Sequence, residues 1–169
     1  QRRNLRALLI GTIAKLERSY TVTLEATNAQ SGERMALALE QAAGRDEVVN
    51  ALGRAATSLR GKLGESLASL QKYDKPLEDA TTTSLDALKA YSEGRALGRT
   101  GEFEESVPFL QRATELDRGF ASAWRALGST YVDSGNPGRG RKDIEQAWQM
   151  RDRTSEREKL QLAATYFRE

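Results

Sequence analysis

Apolar and polar residues alternate with period two along Tyr20-Thr21-Val22-Thr23-Leu24-Glu25-Ala26, which places Tyr20, Val22, Leu24 and Ala26 on one face of a pleated strand. The flanking runs supply partners. Leu8 to Leu16 is a β-capable run around Gly11, and Arg34 to Glu40 alternates again through Met35, Leu37 and Leu39. Between the second and third runs, Asn28-Ala29-Gln30-Ser31-Gly32 is rich in turn formers and offers a glycine suited to positive φ. An antiparallel three-stranded meander is the simplest arrangement of these runs.

The period changes after Gly44. Val49, Leu52, Ala56, Leu59, Leu63, Leu67 and Leu70 recur at steps of three and four, an amphipathic stripe that would cover the apolar face of the sheet, with Asp46 as its N-cap. Gly61 and Gly64 each cost about 1 kcal/mol relative to alanine in a helix interior, so a kink or break is expected there. These elements make a small α+β part over residues 1–73. Residues 74–83, from Asp74 to Thr83, have no apolar periodicity and contain Pro76, which marks them as a linker. Thr83 followed by Asp86 resembles a capping box, so a helix is expected to start near Ser84.

From there on, positions match at one offset of 34 residues: Gly94 with Gly128, Gly101 with Gly135, Leu110 with Ile144, and Ala113 with Ala147. The second copy carries the fuller pattern, with Trp124, Leu127, Gly128 and Tyr131 at the spacing W-x2-L-G-x2-Y. The first copy is degenerate, with Ala90, Glu93, Gly94 and Leu97 at those places. This resembles the tetratricopeptide repeat. Small residues at Gly94, Gly128, Ala113 and Ala147 let paired helices approach, and Trp124 and Tyr131, which could line a ligand pocket, read at this repeat spacing as core packing that fills the space between hairpins. Gly101-Glu102 and Gly135-Asn136-Pro137 turn the chain between first and second helices. A third hairpin is expected from Ser155, where Ser155 and Glu158 form a capping box ahead of Leu160, Leu162, Tyr166 and Phe167. It lacks a second helix, so the sequence reads as stopping inside a repeat and leaving an apolar face available for self-association. The expected architecture is therefore mainly α with a small α+β N-terminal part: a β-meander plus helix, then a tetratricopeptide-type α-hairpin solenoid of about two and a half hairpins over residues 84–169.

Composition narrows the chemistry. The 169 residues are 38% hydrophobic, and 26 Lys+Arg against 24 Asp+Glu leave a formal charge of +2 with both signs interspersed. That balance argues against a nucleic-acid platform, which carries a basic face. There is no cysteine and no histidine. Thiolate nucleophiles, imidazole bases, disulfides and the commonest zinc ligands are absent with them, so neither catalysis nor a metal nor another cofactor is expected. The carboxylate pairs Glu104-Glu105 and Asp46-Glu47 read as first-turn residues favoured by the helix dipole rather than as acid and base. Arg139-Gly140-Arg141-Lys142 reads as the solvated start of a helix rather than a phosphate contact, given Asp143 and Glu145 just after it. No apolar run approaches the roughly 18 residues of a membrane span. The chain opens on Gln1-Arg2-Arg3, which reads as part of something longer.

The run Gly11-Thr12-Ile13-Ala14, through Tyr20 to Ala26, to Asn28-Ala29-Gln30-Ser31-Gly32-Glu33 resembles the closing strands of TolB-like (CsgG-like) amino-terminal domains, in which such strands precede a helix and tetratricopeptide repeats. Leu63-Gly64-Glu65-Ser66-Leu67, Thr81 to Thr83, Ser84 to Tyr91 and the charged run Arg151 to Lys159 are similar to the C-terminal halves of large bacterial serine/threonine kinases. That resemblance implies the sensory or scaffolding region of a membrane-anchored signalling protein, periplasmic or extracytoplasmic. Without it a cytoplasmic location is expected, since similar modules also follow winged-helix domains in transcription regulators. The kinase's own glycine-rich loop with its lysine, H-R-D and D-F-G are not present, so kinase activity does not carry over.

In tetratricopeptide proteins the partner groove is lined by first helices. The resemblance puts Tyr91 and Arg95 of the first copy, and Arg125, Ser129 and Asp133 of the second, on that groove. The family's two-carboxylate clamp is not matched, because Tyr91 and Arg95 stand where its lysine and asparagine would. The reading is a non-catalytic module that binds an unidentified protein or peptide. The alternative is a structural protein that assembles through stacked repeats.

Overall fold

The computed structural model describes residues 6–66 and 82–168, and the chain divides into two compact units, Gln1–Leu77 and Glu78–Glu169. Most of the linker expected at 74–83 lies outside the described residues, as do Leu67 and Leu70 of the helical stripe. The whole is mainly helical, with three antiparallel strands followed by six α-helices among the described residues.

In the first unit, β1 (Ala7–Leu16), β2 (Ser19–Asn28) and β3 (Arg34–Ala42) pair in the order β1-β2-β3, the expected meander. Asn28 organises the second turn, its Oδ1 accepting from the backbone N–H groups of Gln30 and Ser31, while Gly32 takes φ +72. Val22, Leu24 and Ala26 are buried as the alternation requires. The face of β3 is the opposite of the one its bulky residues suggested. Register pairs Ala26 with Ala36 and Leu24 with Ala38, so Ala36, Ala38 and Ala42 are buried and Met35 and Leu39 are exposed. Alanines win because the covering helix lies directly on that face, where a methyl fits and an isobutyl group does not.

That helix, α1 (Val48–Lys62), rests on β2 and β3. Its start also differs from expectation. A 3-10 turn over Arg45–Glu47 precedes it, so Asp46 is not the N-cap, and the Glu47 carboxylate instead accepts from the Ala43 N–H at 3.0 Å. The one-turn delay rotates the apolar stripe: Val48, Val49, Ala51, Ala55 and Leu59 are buried, while Leu52 and Ala56 are only half-buried and Leu63 is exposed. The helix ends where the glycines implied, and Gly64 leaves it at φ +94.

The second unit is built of helices: α2 (Leu85–Thr100), α3 (Phe103–Leu116), α4 (Ala121–Asp133), α5 (Pro137–Gln149) and α6 (Glu156–Tyr166). Ser84, not Thr83, caps α2, its hydroxyl accepting from the Ala87 N–H at 3.2 Å. Thr82 is buried and donates to the Asp117 carboxylate at 2.5 Å. Helices α2 and α3 form one hairpin and α4 and α5 another; α4 packs on α3, and α6 docks on α4 and α5. Gly101 (φ +87) and Gly135 (φ +83) end the first helix of each hairpin in the left-handed conformation, 34 residues apart. The capping box opening α6 is present in full, with Ser155 and Glu158 bonded reciprocally.

The same offset recurs in the packing. A Cβ on Gly94 would stand 2.7 Å from Leu110 Cγ, and one on Gly128 would stand 2.7 Å from both Ile144 Cγ1 and the Gly140 carbonyl oxygen. Ala113 and Ala147 are fully buried, and Leu127 sits in the cluster joining Leu110, Ala126 and Tyr131.

Substituting Gly128→Ala therefore drives a methyl into backbone, and we expect a loss of about 1–3 kcal/mol in urea unfolding despite alanine's better helix propensity. Gly94→Ala meets only side chains and should cost less. Gly138→Ala, with nothing within 4 Å of the new methyl, should be neutral or stabilising.

Candidate functional site

The residues expected to line a partner groove fall on α2 and α4, and the structure draws three of them together. Tyr91 is half-buried, its ring centroid 4.9 Å from that of Phe120 at an interplanar angle of 54°. Arg125, at the position equivalent to Tyr91 in the next hairpin, is half-buried and lies within electrostatic reach of Tyr91, Arg95 and Glu158. Burial is the main influence on its guanidinium and lowers its pKa below the ordinary arginine value; Tyr91 opposes this, Arg95 adds to it and Glu158 opposes it. Arginine stays protonated at neutral pH regardless, so the direction of the shift reports a charge that is poorly solvated and crowded by a second cation.

The nearby carboxylate that would answer that charge is engaged elsewhere. Glu158 Oε1 accepts from the Ser122 hydroxyl at 2.6 Å, and its Oε2 accepts from the Ser155 hydroxyl at 2.9 Å as part of the α6 capping box. Among the described residues, neither the Arg95 nor the Arg125 guanidinium has a hydrogen bond or an ion pair. Ser129 and Asp133 follow Arg125 at steps of four and so share its face of α4. Ser129 is half-buried and Asp133 is exposed, and no hydrogen bond ties either side chain to the arginines. The site thus has a core of Tyr91, Arg95 and Arg125, with Ser129 and Asp133 extending it along the helix.

The repeat-signature aromatics do more than fill space. Tyr131 is buried as expected, and its hydroxyl accepts from the Gln111 side-chain N–H at 2.9 Å while the Arg139 guanidinium lies 4.9 Å above its ring. Trp124 is only half-buried, with its indole N–H donating to the Arg118 carbonyl at 3.0 Å. Together with Leu127 they floor a cleft of about 360 Å³ between α3 and α5, rimmed by Glu115, Lys142 and Asp143. The sequence reading sets a pocket at Trp124 and Tyr131 aside in favour of core packing, because repeat spacing identifies which residues are large, not whether neighbouring helices close over them. Arg139, read from sequence as solvated, is exposed yet stacked on Tyr131.

Among the described residues no group of three or more acidic side chains converges as a metal site would require, and no helix is long and apolar enough to cross a membrane. Glu104 and Glu105 occupy the first turn of α3, the place the helix dipole favours.

Asp143 yields a pH prediction. Burial raises its pKa, against the pull of Arg139. A raised folded-state pKa means that the ionised form carries a cost in the native state, present above the folded pKa and absent below the unfolded value near about 3.9. Asp143→Asn should therefore melt at a higher temperature than the parent at pH 7, and the gap should close as pH falls toward 4. Equal melting temperatures at pH 7 would show that the desolvation is relieved by solvent.

Compared with known proteins, the chain matches no protein-family model and no curated protein sequence.

Proposed function

We propose that residues 84–169 are a non-catalytic protein-binding module of tetratricopeptide type, and that the face carrying Tyr91, Arg95 and Arg125 takes an acidic segment of a partner. The observation that carries this reading is the pair of half-buried guanidiniums without an ion pair among the described residues, beside a carboxylate already committed to two serines. A protein that buries a cation without a partner bears a desolvation cost, and an incoming carboxylate relieves it. Arginine's planar fork suits a bidentate carboxylate, and the Tyr91 ring supplies apolar surface beside it. The 34-residue recurrence of glycine contacts, left-handed caps and buried alanines supports the repeat type.

On the resemblance of residues 11–33 to the closing strands of a TolB-like domain, and of Ser84 to Tyr91 and Arg151 to Lys159 to bacterial serine/threonine kinases, we infer a place in the sensory or scaffolding region of a larger signalling protein. An extracytoplasmic location goes with that inference.

A second reading is assembly through stacked repeats. It is favoured by exposed apolar side chains on α6 and at its end, where Leu160 is 70% exposed and Phe167, edge-on to the stacked rings of Trp148 and Tyr166, is 76% exposed.

The binding reading is tested with a fluorescein-labelled glutamate-rich peptide and a lysine-rich control, followed by anisotropy. The acidic peptide should bind, and Arg95→Glu with Arg125→Glu should weaken it by roughly tenfold or more while circular dichroism stays unchanged. Parental affinity in the double variant, or no binding of the acidic peptide by the parent, would remove this face as the site.

A further inference from the structure

The cleft between α3 and α5 has a floor whose side chains are fixed before anything enters it. Trp124, Leu127 and Tyr131 recur at steps of three and four and so share one face of α4. Both aromatic polar tips are satisfied inside the protein: the Trp124 indole N–H donates to the Arg118 carbonyl at 3.0 Å, and the Tyr131 hydroxyl accepts from the Gln111 side-chain N–H at 2.9 Å. A ligand therefore meets the rings without having to order them. At about 360 Å³ the cleft lies at the lower end of the range for small-molecule sites, roughly 300–1,000 Å³, which suits a compact ligand.

The charges around this floor are not equivalent. Arg139 and Asp143 are one turn apart on α5 and share a face, with Lys142 beside them. Arg139 and Lys142 are both exposed, so these cations keep contact with solvent. Glu115, on α3, is exposed as well and pairs with Arg112 at 3.6 Å. Asp143 is half-buried, and among the described residues its carboxylate has no hydrogen bond and no ion pair, not even with Arg139. Burial raises its pKa, so the ionised form lowers native stability. Packing alone gives no reason for a carboxylate at that place, whereas a donor arriving in the cleft does.

We propose that the cleft binds a small zwitterion of the α-amino-acid type with an apolar side chain: its ammonium on Asp143, its carboxylate toward Arg139 and Lys142, and its apolar body on Trp124 and Leu127. The alternatives fit the charges less well. A plain cation answers Asp143 but meets two like charges at the rim, and a plain anion brings a second negative charge against an unpaired carboxylate. A zwitterion carries both signs close together, as α5 does at Arg139 and Asp143.

L-phenylalanine is the probe, with phenylalaninamide and N-acetylphenylalanine as its cationic and anionic counterparts, since all three share one apolar body. A ligand of about a dozen heavy atoms in an open cleft binds in the millimolar range, so each is titrated from about 0.1 mM to about 50 mM at constant ionic strength while the nitrogen-15 indole signals are followed. With phenylalanine the Trp124 signal should move and saturate, while that of Trp148, which does not line the cleft, stays in place. Phenylalaninamide should bind at least about threefold more weakly and N-acetylphenylalanine roughly tenfold or more. Asp143→Asn should weaken phenylalanine by roughly tenfold or more with circular dichroism unchanged. The same substitution is expected to raise the melting temperature at pH 7, so lost binding would not be lost folding. An unmoved Trp124 signal, an Asp143→Asn variant that binds as the parent does, or either blocked analogue binding as tightly as phenylalanine would overturn the proposal. None of these readouts depends on the acidic peptide.

Discussion

The helical unit depends on a close approach of backbone to backbone. In the α4–α5 hairpin a Cβ at Gly140 would stand 2.5 Å from the Gly128 carbonyl oxygen, so the two helices touch where both lack side chains. The α2–α3 hairpin solves the same problem differently. Ser106 stands where Gly140 stands 34 residues later, and its hydroxyl donates to the Gly94 carbonyl at 2.8 Å, replacing contact by a buried hydrogen bond. Close pairing carries Leu110 and Ile144 to full burial and leaves the larger Trp124 at the margin. Without that approach there would be no second layer for α6 to dock on.

Tight packing also sets up the electrostatics of the proposed binding face. On α4, which packs against α3 and α5, Arg125 is half-buried, and Arg95 from α2 shares its surroundings. Glu158 could neutralise the pair, yet its two oxygens are used to hold the start of α6 against Ser122 and Ser155. One carboxylate thus serves helix capping and interhelix docking, and the cations are left for something else. The opposite side of the same helix behaves differently: around Trp124 and Tyr131 the cleft carries both signs of charge, with Arg139 stacked and Glu115 and Asp143 nearby.

Much of the fold could be read from the chain, and the exceptions have physical reasons. Period-two alternation located β2 because one of its faces is polar, and the glycine and alanine recurrence located the hairpins because backbone contact tolerates few residue types. The Ser155–Glu158 box appeared where written. The reading failed at β3, where leucine was preferred to alanine as a sign of burial although the space beneath α1 admits only the smaller group. It failed again at the start of α1, since a 3-10 turn over Arg45–Glu47 follows Gly44 and takes up Asp46 before the α-helix begins. For the site, the resemblance named Tyr91, Arg95 and Arg125, but that the guanidiniums are unpaired depends on where Glu158 points, which no local pattern encodes. Leu8, Leu9, Ile10 and Ile13 read as strand residues; the exposure of Leu9 and Ile13 follows from how far α1 extends across the sheet, while Leu8 and Ile10 lie on the face away from α1.

The central claim is that an anionic partner settles on the arginine face of the helical unit and not in the aromatic cleft on its other side. Nitrogen-15 spectra of the arginine side chains and tryptophan indoles, recorded while an acidic peptide is titrated in, test this directly. The account predicts that the Nε–H signals of Arg95 and Arg125 move and saturate together while the Trp124 indole signal stays in place. Movement of Trp124 and Arg139 with Arg95 and Arg125 unchanged would contradict it.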